Sequence, residues 1–118
     1  MHAFIIEDDY LISQAIQHIL GNLGFTSFSF ARSEDAAIAG AAGETFDLIT
    51  ADARLLPGDG VKAVETICAT RDIPVIFITG YAPDIEQRLQ DRLPEATIVE
   101  KPIKEAELIA AVRSVLGK

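Results

Sequence analysis

Five short apolar runs alternate with five longer amphipathic stretches along the 118 residues, and no other feature narrows the fold as far. Strand patterns that alternate with helix patterns imply crossover connections, and hence an α/β domain built on a parallel sheet with helices on both faces. Strands are expected at 3–6, 26–30, 47–51, 74–78 and 96–99. Most are continuous apolar runs, as burial under two layers of helix requires. The second, TSFSF, mixes hydroxyls with its phenylalanines and belongs at an edge.

Helices are expected at 10–23, 33–42, 61–70, about 84–91 and 104–116. The first carries Leu11, Ile12, Ala15, Ile16, Ile19, Leu20 and Leu23, a stripe of 3.6-residue period, with Asp9 as N-cap and Gly24 as stop. Ser33 caps the second, whose apolar face is small. The last presents Leu108, Ile109, Val112, Val115 and Leu116. The fourth has only Ile85 and Leu89 as strong anchors, so it should be the most loosely docked.

Charge narrows the partners. Acidic residues outnumber basic ones, 18 to 10, for a formal net charge of −8, which repels nucleic-acid backbones and anionic membrane surfaces. The lone Cys68 can form no intramolecular disulfide, and the start MHAFIIEDDYLI has no basic leader and no long apolar run. Every apolar run is broken within a few residues, well short of a membrane span. The expectation is one cytoplasmic domain over residues 1–118, without an output domain.

In an open parallel sheet the working residues sit beyond the carboxyl ends of the strands. Those ends offer Glu7, Asp8 and Asp9 after the first strand, Asp52 after the third, Thr79 and Gly80 after the fourth, and Glu100, Lys101 and Pro102 after the fifth. If these strands are neighbours, one pocket gathers at least three carboxylates, a hydroxyl and an ammonium. Two carboxylates about 4 Å apart repel by about 4 kcal/mol at an effective dielectric near 20, so three together need a cation or must take up protons. Mg²⁺ suits such a site, since it takes oxygen ligands and shares them between one or two carboxylates and a phosphoryl group.

The segments IIEDD (5–9), FDLITAD (46–52), PGDG (57–60), PVIFITG (74–80) and VEKP (99–102), in this order and each at the right strand end, resemble the receiver domain of two-component response regulators. The likeness covers nearly the whole chain. It implies a doubly wound five-stranded parallel sheet of flavodoxin-like order 2-1-3-4-5. It further implies Asp52 as phosphoryl acceptor, Glu7, Asp8, Asp52 and the backbone carbonyl of Arg54 as Mg²⁺ ligands, Thr79 as donor to the phosphoryl group, and Lys101 as partner first of Asp52 and then of the phosphoryl group. The Lys101–Pro102 bond matches a position that is cis in the family. Implied partners are a histidine kinase or phosphotransfer protein and a downstream protein target, with no direct nucleic acid or membrane contact, the chain acting as a monomer or weak homodimer. Such a protein is not an enzyme with a separate substrate; it catalyses only its own phosphorylation and dephosphorylation.

Two departures stand out. Receivers commonly place Phe or Tyr three residues before the lysine, where this chain has Ile98, while FITGYAP puts an aromatic at Tyr81 and resembles receivers with an FATGUY-type motif. A signal would then be read through Thr79, Tyr81 and the fourth helix. Pro57 lies one place later than the usual proline, with Asp59 and Gly60 at their expected spacing. Arg54 and Tyr81 occupy positions that commonly tune dephosphorylation, and their bulk implies a long-lived phosphoprotein. Plainer roles suit other residues: Asp9 as a cap, Asp47 as a loop anchor, Asp59 and Gly60 as turn and helix entry, Cys68 as a core thiol, and His2 and His18 as structural or solvated. Competing readings are a flavodoxin-like cofactor binder, disfavoured by the acidic IEDDY beside any flavin phosphate; a phosphorylation-silent pseudo-receiver, disfavoured by the intact Asp8, Asp52, Thr79 and Lys101; and a small-molecule aspartyl phosphatase, for which the chain has no room for a cap.

Overall fold

A computed structural model, which describes residues 1–117, has the strand and helix elements in strict alternation: β1 (His2–Ile6), α1 (Tyr10–Asn22), β2 (Ser27–Ala31), α2 (Glu34–Ala41), β3 (Leu48–Ala51), α3 (Gly60–Cys68), β4 (Val75–Thr79), α4 (Pro83–Arg92), β5 (Thr97–Glu100) and α5 (Glu105–Leu116). The strands form one parallel sheet of order β2-β1-β3-β4-β5. The serine-bearing β2 is at an edge, as its composition suggests. Among the described residues no helix is long and apolar enough to cross a membrane.

Side chains of alternate strand positions supply two cores. Ala3, Ile5, Leu48, Ile76, Ile78 and Val99 pack under Ile16, Ile19 and Leu20 of α1 and Leu108 and Val112 of α5. Phe4, Ile6, Ile49, Ala51, Val75 and Phe77 pack on the other face with Ala37 and Ala41 of α2, Val61, Val64 and Ile67 of α3, and Ile85 and Leu89 of α4. The chain moves from β1 to the β2 edge and returns to β3 on β1's other side. The crossover direction therefore switches between β1 and β3, where a crevice opens at the strand ends.

The helix starts follow local chemistry. Asp9 Oδ1 accepts from the Ile12 amide at 3.1 Å, and Ser33 Oγ accepts from the Ala36 amide at 3.1 Å. Asp59 Oδ1 accepts from the Val61 and Lys62 amides at 2.9 and 3.2 Å. Helix α4 begins one residue earlier than the apolar pattern suggests because Pro83, which has no amide hydrogen to satisfy, occupies the first turn. Helix α3 ends at Cys68, earlier than its pattern suggests. Beyond it Arg71 reaches the Ala41 and Glu44 carbonyls at the end of α2, at 3.1 and 2.6 Å, and turns the chain toward Pro74. Asp47 anchors the opposite end of the sheet, its Oδ2 accepting from the His2 amide at 2.7 Å. His2 is structural: its ring contacts the Ser27 and Ser29 hydroxyls and stacks on Phe46.

Candidate functional site

Strand register assembles the site. Ile6 of β1 pairs with Ala51 of β3, so the next residues, Glu7 and Asp52, emerge side by side. The Glu7 amide donates to Ala31 and the Asp52 amide to Ile6, each at 2.9 Å, which extends the sheet by one residue under both carboxylates. Thr79 ends β4 opposite Glu100, and the Lys101 amide donates to the Thr79 carbonyl at 2.7 Å. Four strand ends thus converge, with Lys101 entering just before a cis bond to Pro102.

The side chains close the arrangement. Lys101 Nζ donates to Asp52 Oδ2 at 2.8 Å and lies 3.2 Å from Glu7 Oε1. Asp52 Oδ1 accepts from the Arg54 amide at 3.1 Å, so each oxygen of this carboxylate has its own donor. Asp8 Oδ2 accepts from the Leu56 amide at 3.0 Å, which couples the loop after β1 to the loop after β3. Oxygens of Glu7, Asp8 and Asp52 all lie within 4.8 Å of one another. Thr79 Oγ1 accepts from the Tyr81 amide at 3.4 Å, which leaves its own hydrogen available to an incoming acceptor.

Glu7 and Asp52 are buried, and burial dominates the titration of Glu7. Loss of solvent, with the Asp52 charge adding to it, raises its pKa from 4.5 to about 7, against the pull of the Asp9 amide and the Lys101 ammonium. Burial also works against the Lys101 ammonium. Its hydrogen bond to Asp52 and the charges of Asp52 and Glu7 outweigh that, and its pKa rises above the usual lysine value. The site is therefore a strained excess of carboxylate relieved by one ammonium.

A divalent cation fits this set. Glu7 Oε1 is buried without a hydrogen bond, since its ion pair with Lys101 lacks hydrogen-bond geometry, and three hard oxygens stand within reach of one ion. The backbone of Arg54 faces Asp59 in an isolated bridge whose hydrogen bonds use the carbonyls of Ala53 and Gly58, not that of Arg54. The Arg54 carbonyl is thereby left for another partner.

Two glycines shape the loop behind Asp52. Gly58 adopts φ +116°, a conformation that side chains rarely take, and lies against Glu34, whose carboxylate accepts from the Asp59 amide at 2.9 Å. Gly60 begins α3 in direct contact with the Asp52 backbone, and a Cβ there would collide with the Asp52 carbonyl.

A cavity of about 470 Å³ opens over Asp8, Asp52, Thr79 and Lys101. Its outer wall holds residues that no motif singled out for chemistry: Asp84 and Arg88 of α4, together with Asp59. Arg88 Nη2 pairs with Asp59 Oδ2 at 2.9 Å, and Arg54 pairs with Asp84 at 3.5 Å across an exposed rim. Asp59 is legible as a cap from its place before α3, but its partner lies 29 residues away and leaves no mark on local spacing. Tyr81 lines the same cavity and stays 58% exposed. Ile98 packs against the α2–α3–α4 core. Asp9 stays outside the cluster as a cap, and Cys68 is half-buried with its thiol pKa raised by burial.

Known proteins resemble this chain in sequence and fold. The response regulator receiver domain family matches residues 3–113. The phyllosphere-induced regulator PhyR of Methylorubrum extorquens is 34% identical over 95% of this chain, which spans 42% of that relative's length. The solution structure of the PhyR receiver domain of Erythrobacter litoralis is 32% identical, with a TM-score of 0.87 over 98% of this chain and 89% of that one. The receiver domain of sensor histidine kinase PA1611 from Pseudomonas aeruginosa, whose structure has magnesium coordinated in its active-site cleft, shares the fold at 24% identity, with a TM-score of 0.78 over 99% of this chain and 98% of that one. The matched span contains every strand end of the site, and the strand order is that of the fold. The chain belongs to the response regulator receiver domain family.

Proposed function

We propose that this chain accepts a phosphoryl group on Asp52 from a histidine kinase or phosphotransfer protein, in a Mg²⁺-dependent reaction, and passes the signal on through altered protein contacts or by relaying the phosphoryl group. The observation that carries this reading is the pairing of Asp52 with Lys101 at 2.8 Å inside a cluster of three carboxylates. Glu7, Asp8, Asp52 and the Arg54 carbonyl would hold the metal. Bound there, Mg²⁺ would supply positive charge to offset the negative charge spread over the transferring phosphoryl oxygens.

An Asp52 carboxylate oxygen attacks phosphorus; a new O–P bond forms as the donor P–N bond breaks, and its electron pair leaves with the imidazole nitrogen. Lys101, already positioned by Asp52 and Glu7, turns its protons to a phosphoryl oxygen. The Thr79 hydroxyl donates to another. Because that hydroxyl also holds the Tyr81 amide, a shift of Thr79 is transmitted to the segment leading into α4. Aspartate, threonine and lysine supply positioning and charge, and no second substrate is processed.

PA1611's receiver, with magnesium in its cleft, supports the metal assignment by analogy of fold. The test is intact-mass analysis after incubation with a small phosphodonor, with and without Mg²⁺, on wild type and Asp52→Ala. A Mg²⁺-dependent phosphoryl adduct on wild type alone is expected. No adduct, or one that persists in the variant, overturns the assignment and favours a silent interaction module.

A further inference from the structure

Helix α4 is anchored in the core by two apolar side chains and joined to the start and the face of α3 by two ion pairs. Ile85 and Leu89 are its buried side chains, while Arg88 Nη2 meets Asp59 Oδ2 and Arg92 Nη1 meets Glu65 Oε1, both at 2.9 Å. The two rungs differ in surroundings. Arg88 and Asp59 line the cavity over Asp52, whereas Arg92 and Glu65 do not. Asp59 divides its oxygens between two tasks: Oδ1 caps α3 through the Val61 and Lys62 amides, and Oδ2 takes Arg88. Arg88 can therefore leave Asp59 without uncapping α3. Its side chain keeps 35% of its surface exposed, so packing does not lock the guanidinium.

We propose that Arg88 is an exchangeable phosphoryl ligand: once Asp52 is phosphorylated, the guanidinium moves from Asp59 Oδ2 to a phosphoryl oxygen and carries the middle of α4 with it. A phosphoryl group offers more negative charge than the Asp59 carboxylate and three strong acceptor oxygens, and a guanidinium fork matches it well. Asp59 holds the arginine in the resting state and competes for it afterwards. This inference rests on the reading of Asp52 as the acceptor. It makes Arg88 a residue that binds the product and reports its arrival at the surface of α4.

The experiment is calorimetric titration with beryllofluoride, a phosphoryl mimic, in Mg²⁺ on five proteins: wild type, Arg88→Gln, Asp59→Asn, the double variant and Arg92→Gln. Asn keeps the α3 cap. Loss of a charge-assisted hydrogen bond should weaken the mimic about tenfold in Arg88→Gln. Asp59→Asn should bind it more tightly, and the double variant should match Arg88→Gln, since no competition remains to be relieved. Arg92→Gln should speed amide exchange in residues 83–92 and leave the affinity unchanged. Unchanged affinity in Arg88→Gln, or equal losses in Arg88→Gln and Arg92→Gln, would overturn the proposal while a phosphoryl adduct on wild type kept the Asp52 reading intact. Wild type that forms no Mg²⁺-dependent adduct overturns both.

Discussion

Gly60, the first residue of α3, lies so close to the backbone carbonyl of Asp52 that no methyl group fits between them. Its amide donates to the Ala53 carbonyl at 2.9 Å, so the helix start and the acceptor loop form one packed unit. Gly60→Ala must push Asp52 out of register with Lys101. The substitution should cost about 1–3 kcal/mol, as overpacking does in tight interiors, and should reduce phosphoryl adduct yield. Urea denaturation and intact mass measure the two effects. Gly80→Ala, where a Cβ meets nothing within 4 Å, should leave both nearly unchanged.

The buried Glu7 makes the metal-free protein sensitive to pH. Its pKa rises from 4.5 to about 7 through burial, so between those values the folded state binds more protons than the unfolded chain. This contribution to stability is full below about 4.5 and is lost as pH rises through about 7. In chelator, wild type should lose stability from pH 5 toward neutrality (about the window of the shift) relative to Glu7→Gln, whose amide is always neutral. A difference between the two proteins that stays constant over that window would contradict the assignment.

Asp59 has the opposite sign. Burial raises its pKa, but the Lys62 amide, the Arg88 guanidinium and the Val61 amide outweigh burial and leave it below 3.8. Its contribution is present above 3.8 and is lost as pH falls through the lower folded value. Asp59→Ala should cost about 1 kcal/mol through the lost cap, while Asp59→Asn should retain most of that stability and lose the acid-side dependence. Thermal melts across the acidic range would separate cap from charge.

Lys101 relieves Asp52 and Glu7 together. In Lys101→Met the two carboxylates face each other without a counter-charge. The loss at pH 8 should be about 2 kcal/mol, below the range for a fully buried pair, because Lys101 keeps 20% of its side-chain surface exposed. Mg²⁺ should recover part of that loss, read as a larger metal-dependent rise in melting temperature than wild type shows.

Local pattern determined the elements of this protein. Continuous apolar runs for the strands, 3.6-residue stripes for the helices and the caps Asp9, Ser33 and Asp59 are written in adjacent residues, and the strand ends they define already carry Glu7, Asp8, Asp52, Thr79 and Lys101. What the apolar pattern read less well were the ends of α3 and the start of α4, where Arg71 contacts at long range and Pro83's missing amide decide the boundary. The anchors of α4, Ile85 and Leu89, were legible and are buried, but tertiary structure alone decided its charged partners: Arg88 with Asp59 and Arg92 with Glu65 join residues 29 and 27 positions apart. The physical reason is range. Backbone periodicity and capping act over a few residues, so a sequence displays them, whereas a charged side chain takes whichever partner the packed fold brings within about 4 Å.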